Sequence, residues 1–246
     1  MPNYFNIHYE FDKQEVLRLI DRQVRDNRPG YICVADGVIL SIAHDKPDYL
    51  KVVNESMFSI CDSSFVPLYI KWIHGKSYPQ YCGSQIFRDI VSLRRYRMFF
   101  MGTSHQILAG LKQNIKAWNP DVEDMTFYDL PYRDVEDFDY PQIAHLIHED
   151  NADIIWVALG APKQEIFMNR LKPHLKRGVM IAVGAAFKFY SGQEEKRAPK
   201  WMIKHHMEFL FRIINDPKKQ FRRCAGILRT LPQICYEEWK RKRKGQ

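Results

Sequence analysis

The stretch Asp153-Ile-Ile-Trp-Val-Ala-Leu-Gly-Ala-Pro-Lys-Gln-Glu165 decides how the rest of the chain is read. The apolar run after Asp153 fits a strand over 153–159 that is buried on both faces, and Gly160 ends it. Pro162 suits the first turn of a helix, where a fixed φ and a missing N–H cost nothing. A helix is therefore expected over 163–175, followed by a second apolar strand over 179–183. Strand, helix and strand in that order predict a βαβ unit with parallel strands.

Upstream the same alternation continues. Strands are expected over 97–101 and 125–128, with helices over 106–118 and 140–149. Before them come a helix over 13–25, where Val16, Leu17, Leu19, Ile20 and Val24 stand at helical spacing, and a strand over 31–34. Next are a helix over 48–56, a strand over 57–61, a helix over 68–74, a polar loop over 75–83 and a helix over 86–93. The expected fold is α/β: a Rossmann-like parallel sheet with flanking helices over 1–196, carrying a basic helical C-terminal appendage over 197–246.

The 246 residues are 46% hydrophobic and 27% charged, which excludes disordered and fibrous classes. The net charge of +8 is localised. Residues 217–246 hold ten Lys/Arg against two Asp/Glu, leaving 27 against 27 in the remainder. A neutral body with a cationic end predicts chemistry in the body and an anionic surface for the end. No apolar run reaches the roughly 18 residues needed to span a bilayer, and the first ten residues lack the pattern of a secretory signal. The expected location is cytoplasmic, peripheral on the inner face of the plasma membrane.

Five cysteines, never in C-x-x-C spacing, indicate neither a disulfide framework nor a thiolate zinc site. The pairs His145/His148 and His205/His206 lack acidic or thiolate partners at metal spacing. No metal and no cofactor are expected.

In parallel sheets ligands lie outside the carboxyl ends of the strands. The residues placed there are Asp36, Asp62, Gly102-Thr103-Ser104, Gly160 to Gln164, and Gly184 onward. Gly and small polar residues at a helix start leave N–H groups for phosphate, although ordinary strand-to-helix turns read the same way.

Gly160-Ala-Pro162-Lys163-Gln164-Glu165, Val183-Gly184-Ala-Ala-Phe187, Arg197-Ala198-Pro199, Glu208-Phe-Leu-Phe-Arg212 and the trailing Pro217 and Arg222-Arg223 follow one another as four ordered motifs and a basic tail. This sequence resembles the WecG/TagA/CpsF family of bacterial glycosyltransferases over roughly residues 31–236. Three motifs of the first half are altered: Val34-Ala-Asp36 stands for T-x-N, Asp62-Ser63 for D-G, and Gln80-Tyr-Cys-Gly83 for R-x-x-G.

The resemblance implies inverting, metal-independent transfer of N-acetylmannosamine or a related sugar, from a UDP-sugar donor to a polyprenyl-diphosphate-linked acceptor. It implies Asp62 as the base for the acceptor hydroxyl, where the residue alone would equally read as a helix cap or turn. Gln164 would meet sugar hydroxyls or an acetamido group. Asp36, Gly83, Gly102, Thr103, Gly160, Pro162, Lys163, Glu165 and Gly184 would line the substrates, although Lys163 and Glu165 also read as a surface pair. Arg197, Arg212, Arg222 and Arg223 would meet the leaving diphosphate, because guanidinium forks match phosphate oxygens. For each arginine a surface or lipid-facing role competes. Asp137-Phe-Asp139 has D-x-D spacing but reads as a solvated acidic loop.

In the appendage, Trp201, Phe209, Phe211 and Trp239 stand among basic residues, the composition of a membrane-surface segment. The competing reading packs the first apolar stretch on the core and leaves Lys240 to Lys244 as a solubilising end. Two other function classes fit the sequence less well. A nucleotide-binding enzyme such as a dehydrogenase lacks its G-x-G-x-x-G, and a nucleic-acid-binding module lacks zinc, helix-turn-helix and strand-aromatic patterns. No nucleic-acid partner is expected; a homo-oligomer is allowed by the sequence and not demanded by it.

Overall fold

The protein is described from a computed structural model, which places residues 1–63, 65–192 and 217–245, with side chains of the last segment from 224 onward. Eight strands are described: β1 (Asn3–Tyr4), β2 (Ile7–His8), β3 (Gly30–Ala35), β4 (Phe58–Cys61), β5 (Met98–Gly102), β6 (Thr126–Tyr128), β7 (Ile154–Ala158) and β8 (Val179–Ala182). The described α-helices are α1 (Lys13–Arg25), α2 (Gly37–Asp45), α3 (Pro47–Asn54), α4 (Phe65–His74), α5 (Gly83–Ser92), α6 (His105–Ile115), α7 (Tyr140–Asp150), α8 (Lys163–Leu171), α9 (Ala186–Ser191) and α10 (Pro217–Arg243).

Six strands form one sheet in the order β4-β3-β8-β7-β5-β6, every pair parallel. The α/β expectation and its βαβ alternation are observed. Register decides which residues share a face. Phe100, Trp156 and Ile181 stand side by side, and Phe87 of α5 meets the rings of Phe100 and Trp156 from that face. Ile32 is in register with Ile181, so Tyr31 points to the opposite face, where its hydroxyl meets Val52 of α3 and Asn169 of α8. Helices α1, α5, α6 and α9 thus cover one face and α2, α3, α7 and α8 the other. With both faces covered, the central strands β3, β5, β7 and β8 are buried at every position, which explains their unbroken apolar runs.

Helices α2 and α9 and the hairpin β1–β2 escape the sequence reading. Helix α2 is apolar nearly all round because β3 lies on one side and α10 on the other, where Ser41 Oγ meets Gly226 O at 3.2 Å and Thr230 Oγ1 at 3.0 Å. Covering both sides erases the periodicity that marks a surface helix. The hairpin β1–β2 turns through Phe5 and Asn6, both with positive φ. Its closing contact comes from far away in sequence: Phe5 N–H donates to Glu238 Oε2 at 2.9 Å. The segment after it shields the edge of β4, where Tyr9 bridges Ser59 and Glu10 N–H donates to Ser59 O.

Helix α10 lies on α2 and α4. Glu238 is almost fully buried and is held by Phe5 N–H, His74 Nε2 and the Arg241 guanidinium, each at 2.9 Å. A buried carboxylate needs such partners.

Gly102 adopts φ 106°, and a Cβ there would lie 2.6 Å from Ala158 O on the neighbouring strand. Gly75 also has positive φ, but a Cβ there meets nothing within 4 Å. Gly75→Ala should therefore lose about 1 kcal/mol from left-handed strain alone. Gly102→Ala should lose several-fold more by prising β5 from β7, as read by the urea midpoint of unfolding.

Candidate active site

Chain direction reverses twice along the sheet. From β3 the chain leaves toward β4 and from β8 toward α9; from β5 it leaves toward β6, whereas β7 connects back to β8. Such switch points open crevices at the carboxyl ends. Of the sequence-predicted residues, Asp36, Asp62, Gly102, Thr103, Gly160 and Gly184 stand at the carboxyl ends of β3, β4, β5, β7 and β8.

Asp62 follows β4, and its Oδ1 accepts the Gly83 N–H at the start of α5 at 2.7 Å. The residue is thus a helix cap as well as a candidate base. A Cβ on Gly83 would lie 3.3 Å from Val34 Cγ1, 3.6 Å from Val183 O and 3.7 Å from Asp62 Oδ1. Gly83 therefore brings the ends of β3, β4 and β8 together. Asp36 caps α2, its Oδ1 accepting from Val38 and Ile39 N–H at 2.9 and 3.0 Å.

The Gly160 to Glu165 run forms a second cluster. Gln164 Oε1 accepts the Gly160 N–H at 3.1 Å, and Gln164 Nε2 donates to Glu165 Oε1 at 2.8 Å. Tyr49 of α3 donates its hydroxyl to Glu165 Oε2 at 3.0 Å. Gly184 adjoins this cluster, a Cβ there standing 4.0 Å from Gln164 Oε1. The buried carboxylate fixes the Gln164 amide, and the amide in turn fixes the turn at Gly160, whose φ is 78°.

Three expectations are refined. Glu165 is fully buried and so belongs to no surface pair. Lys163 points away from Glu165: its ammonium donates to Arg133 O and lies over the Tyr132 and Phe138 rings at 5.1 and 5.5 Å. Pro162 occupies the position just before α8, preceded by a cis peptide, rather than the first helical turn. Asp139 of the acidic loop caps α7 through Gln142 N–H, and His148 Nε2 accepts Lys176 N–H at 3.0 Å. Arg197, Arg212 and the pair His205/His206 lie outside the described residues, as do the side chains of Arg222 and Arg223.

Tyr49 carries no signal in the sequence beyond a helical apolar position. Gly102 and Thr103 both have positive φ, which is costly for a β-branched residue and typical of a turn held for function. They lead into α6, whose Ser104 makes no side-chain cap; α8 likewise starts without one. Helices α2 and α5 give their first N–H groups to Asp36 and Asp62, whereas in α8 the Gln164 N–H donates to Gly160 O at 3.0 Å. A concavity of about 350 Å³ lined by Arg97, Thr126 and Asp150 lies at the opposite, amino end of β5 and β6, where Asp150 is paired with Arg97. It holds none of the sequence-predicted residues.

Burial lifts the Glu165 carboxyl from its ordinary 4.5 to about 7. The Asp36 charge adds to the rise, and the hydrogen bonds from Gln164 and Tyr49 oppose it. The thiols of Cys33 and Cys61 are buried and pushed up in the same way, so both stay protonated and inert.

Asp36 and Asp62, each holding a helix start, and the Gln164–Glu165 pair thus stand at the carboxyl edge of one α/β sheet. The chain matches the model of the Glycosyl transferase WecG/TagA/CpsF family over residues 3–245, and it belongs to that family. It is a glycosyltransferase. It is similar to the N-acetylglucosaminyldiphosphoundecaprenol N-acetyl-beta-D-mannosaminyltransferase of Bacillus spizizenii, 25% identical over 86% of this chain and 81% of that one. The proteins of the same name from Bacillus subtilis and Staphylococcus aureus are 26% and 23% identical, covering 79% and 96% of this chain and 75% and 91% of their own lengths.

Glu165 gives a pH test with a definite sign. Its folded pKa exceeds its unfolded one, so the folded state binds more protons between about 4.5 and 7. This residue's contribution should be fully present below that window, fall as pH rises through it, and level off above. Glu165→Gln should remove this component from the pH profile of urea unfolding.

Proposed function

We propose that the protein transfers N-acetylmannosamine or a closely related sugar from a UDP-sugar to a polyprenyl-diphosphate-linked N-acetylglucosamine, with inversion at the anomeric carbon. The observation that carries this reading is the gathering of the family's motif residues at the carboxyl edge of one sheet, within a family match over residues 3–245. The names of the similar bacterial enzymes support the sugar and the lipid-linked acceptor.

The acceptor hydroxyl oxygen attacks the anomeric carbon while the Asp62 carboxylate takes its proton, and the bond to the UDP diphosphate breaks. The charge that gathers on the leaving diphosphate meets the guanidinium groups of Arg197, Arg212, Arg222 and Arg223. Gln164, immobilised between Gly160 and Glu165, orients the sugar; Asp36, Gly83, Gly102, Thr103 and Gly184 shape the crevice. Residues 1–196 act as the catalytic body and 197–246 as an appendage that completes the site and holds the enzyme to the cytoplasmic face of an anionic membrane. No helix among the described residues is long and apolar enough to cross a membrane, which fits peripheral attachment.

The cap at Gly83 makes one substitution especially clean. Asn at position 62 keeps an oxygen for the Gly83 N–H but cannot take a proton. Asp62→Asn should lower turnover by about 10²–10⁴ while leaving UDP affinity and thermal stability near wild type. Retained turnover in this variant, with UDP release measured against a synthetic polyprenyl-diphosphate sugar, would remove Asp62 from the mechanism. A donor screen in the same assay identifies the sugar.

A further inference from the structure

Helix α4 buries Val66, Ile70 and Ile73 and turns Leu68 and Trp72, one helical turn apart, to solvent. Trp72 is 78% exposed and Leu68 45%. An indole held outward to this extent gains nothing from the core it leaves.

Helix α10 continues the same surface. Its Ile227, Thr230, Ile234 and Glu238 face α2 and the hairpin, while the Lys242 ammonium donates to Ile73 O on α4 at 2.6 Å. Passing round α10 from that contact, the next positions are Leu228, Trp239 and Tyr236, all exposed. The apolar stripe of α4 thus runs on into that of α10. Around it stand Lys71, Lys76, Lys240, Lys242, Arg243 and Lys244, all exposed, with the Arg243 guanidinium 4.6 Å from the Trp239 ring centre. The nearest acid on this face of α10, Glu238, is buried and already paired.

We propose that the outward face of α4, with Leu228, Tyr236 and Trp239 of α10, is a docking surface for an anionic lipid bilayer, and that the body itself, through Leu68 and Trp72, supplies the apolar wedge. Bilayer attachment needs this combination, because apolar insertion and attraction of Lys and Arg to anionic headgroups add together. The position of α4 gives the surface its purpose. The helix starts three residues after Asp62, and Trp72 lies roughly 10 Å along it from that start. Docking there holds the site at the depth where a lipid-linked diphosphate emerges. The inference rests on the reading of the acceptor as lipid-borne.

The test uses the full chain, Leu68→Ser/Trp72→Ser and Trp239→Ser. Each is sedimented with vesicles of phosphatidylglycerol and phosphatidylcholine or of phosphatidylcholine alone. Turnover is followed both with a water-soluble short-chain acceptor and with a long-chain acceptor embedded in the vesicles. The double variant should partition to anionic vesicles roughly tenfold or more weakly than wild type, with the Trp239 variant between. It should also lose turnover on the embedded acceptor while keeping it on the soluble one. Wild-type partitioning by the double variant overturns the proposal. So does loss of a concentration-dependent dimer with no change in vesicle binding, since a second copy of the chain would then be what covers this face. A wild-type protein that binds vesicles through Trp72 yet turns over neither acceptor would instead sink the glycosyl-transfer reading and leave the docking surface standing.

Discussion

A parallel sheet covered on both faces can be left only at the ends of its strands, and this constraint organises the molecule. Backbone groups inside the sheet are paired, side chains above and below are packed, and every polar group that chemistry needs must stand where a strand stops. At β5 and β7 the strands end so close together that residue 102 has no room for a side chain. The turns that follow take up left-handed backbone at Gly102, Thr103 and Gly160. Such turns lead directly into the helices α6 and α8 at the carboxyl edge.

The acids at this edge illustrate how environment assigns roles to one functional group. Asp36 and Asp62 each spend a carboxylate oxygen on a helix start, which holds them in place at the rim. Glu165 is withdrawn from water altogether and receives donors from Tyr49 and Gln164. It accepts from the Gln164 amide, whose oxygen in turn accepts the Gly160 N–H, so the buried acid and the turn are linked. Burying it raises its pKa and ties the local geometry to its protonation.

The basic end of the chain is tied to the opening residues of the sequence. Glu238 links α10 to the hairpin at Phe5 and to α4 at His74, an arrangement that costs desolvation and is offset by three partners. That clasp sets α10 beside α4, and in doing so joins the cationic tail to the exposed apolar face of the body. Charge and apolar surface, separated by about 160 positions in sequence, become one patch.

Amphipathic spacing fixed α1 to the residue, and the apolar runs located each strand of the sheet, because local periodicity reports burial wherever one partner lies on one side. The same runs placed Asp36, Asp62, Gly160 and Gly184 at strand ends, and the ordered motifs identified the family. Other features depended on partners distant in the chain. Sandwiching by α10 hid α2, and the Phe5 turn depends on Glu238. Glu165, for which the sequence allows either a substrate contact or a surface pair with Lys163, is buried and bound by Tyr49, 116 positions away. Trp72 read as part of an ordinary helix. Sequence pattern encodes which residues prefer burial; only the packing of distant elements decides which of them are left outside and which charges are taken in.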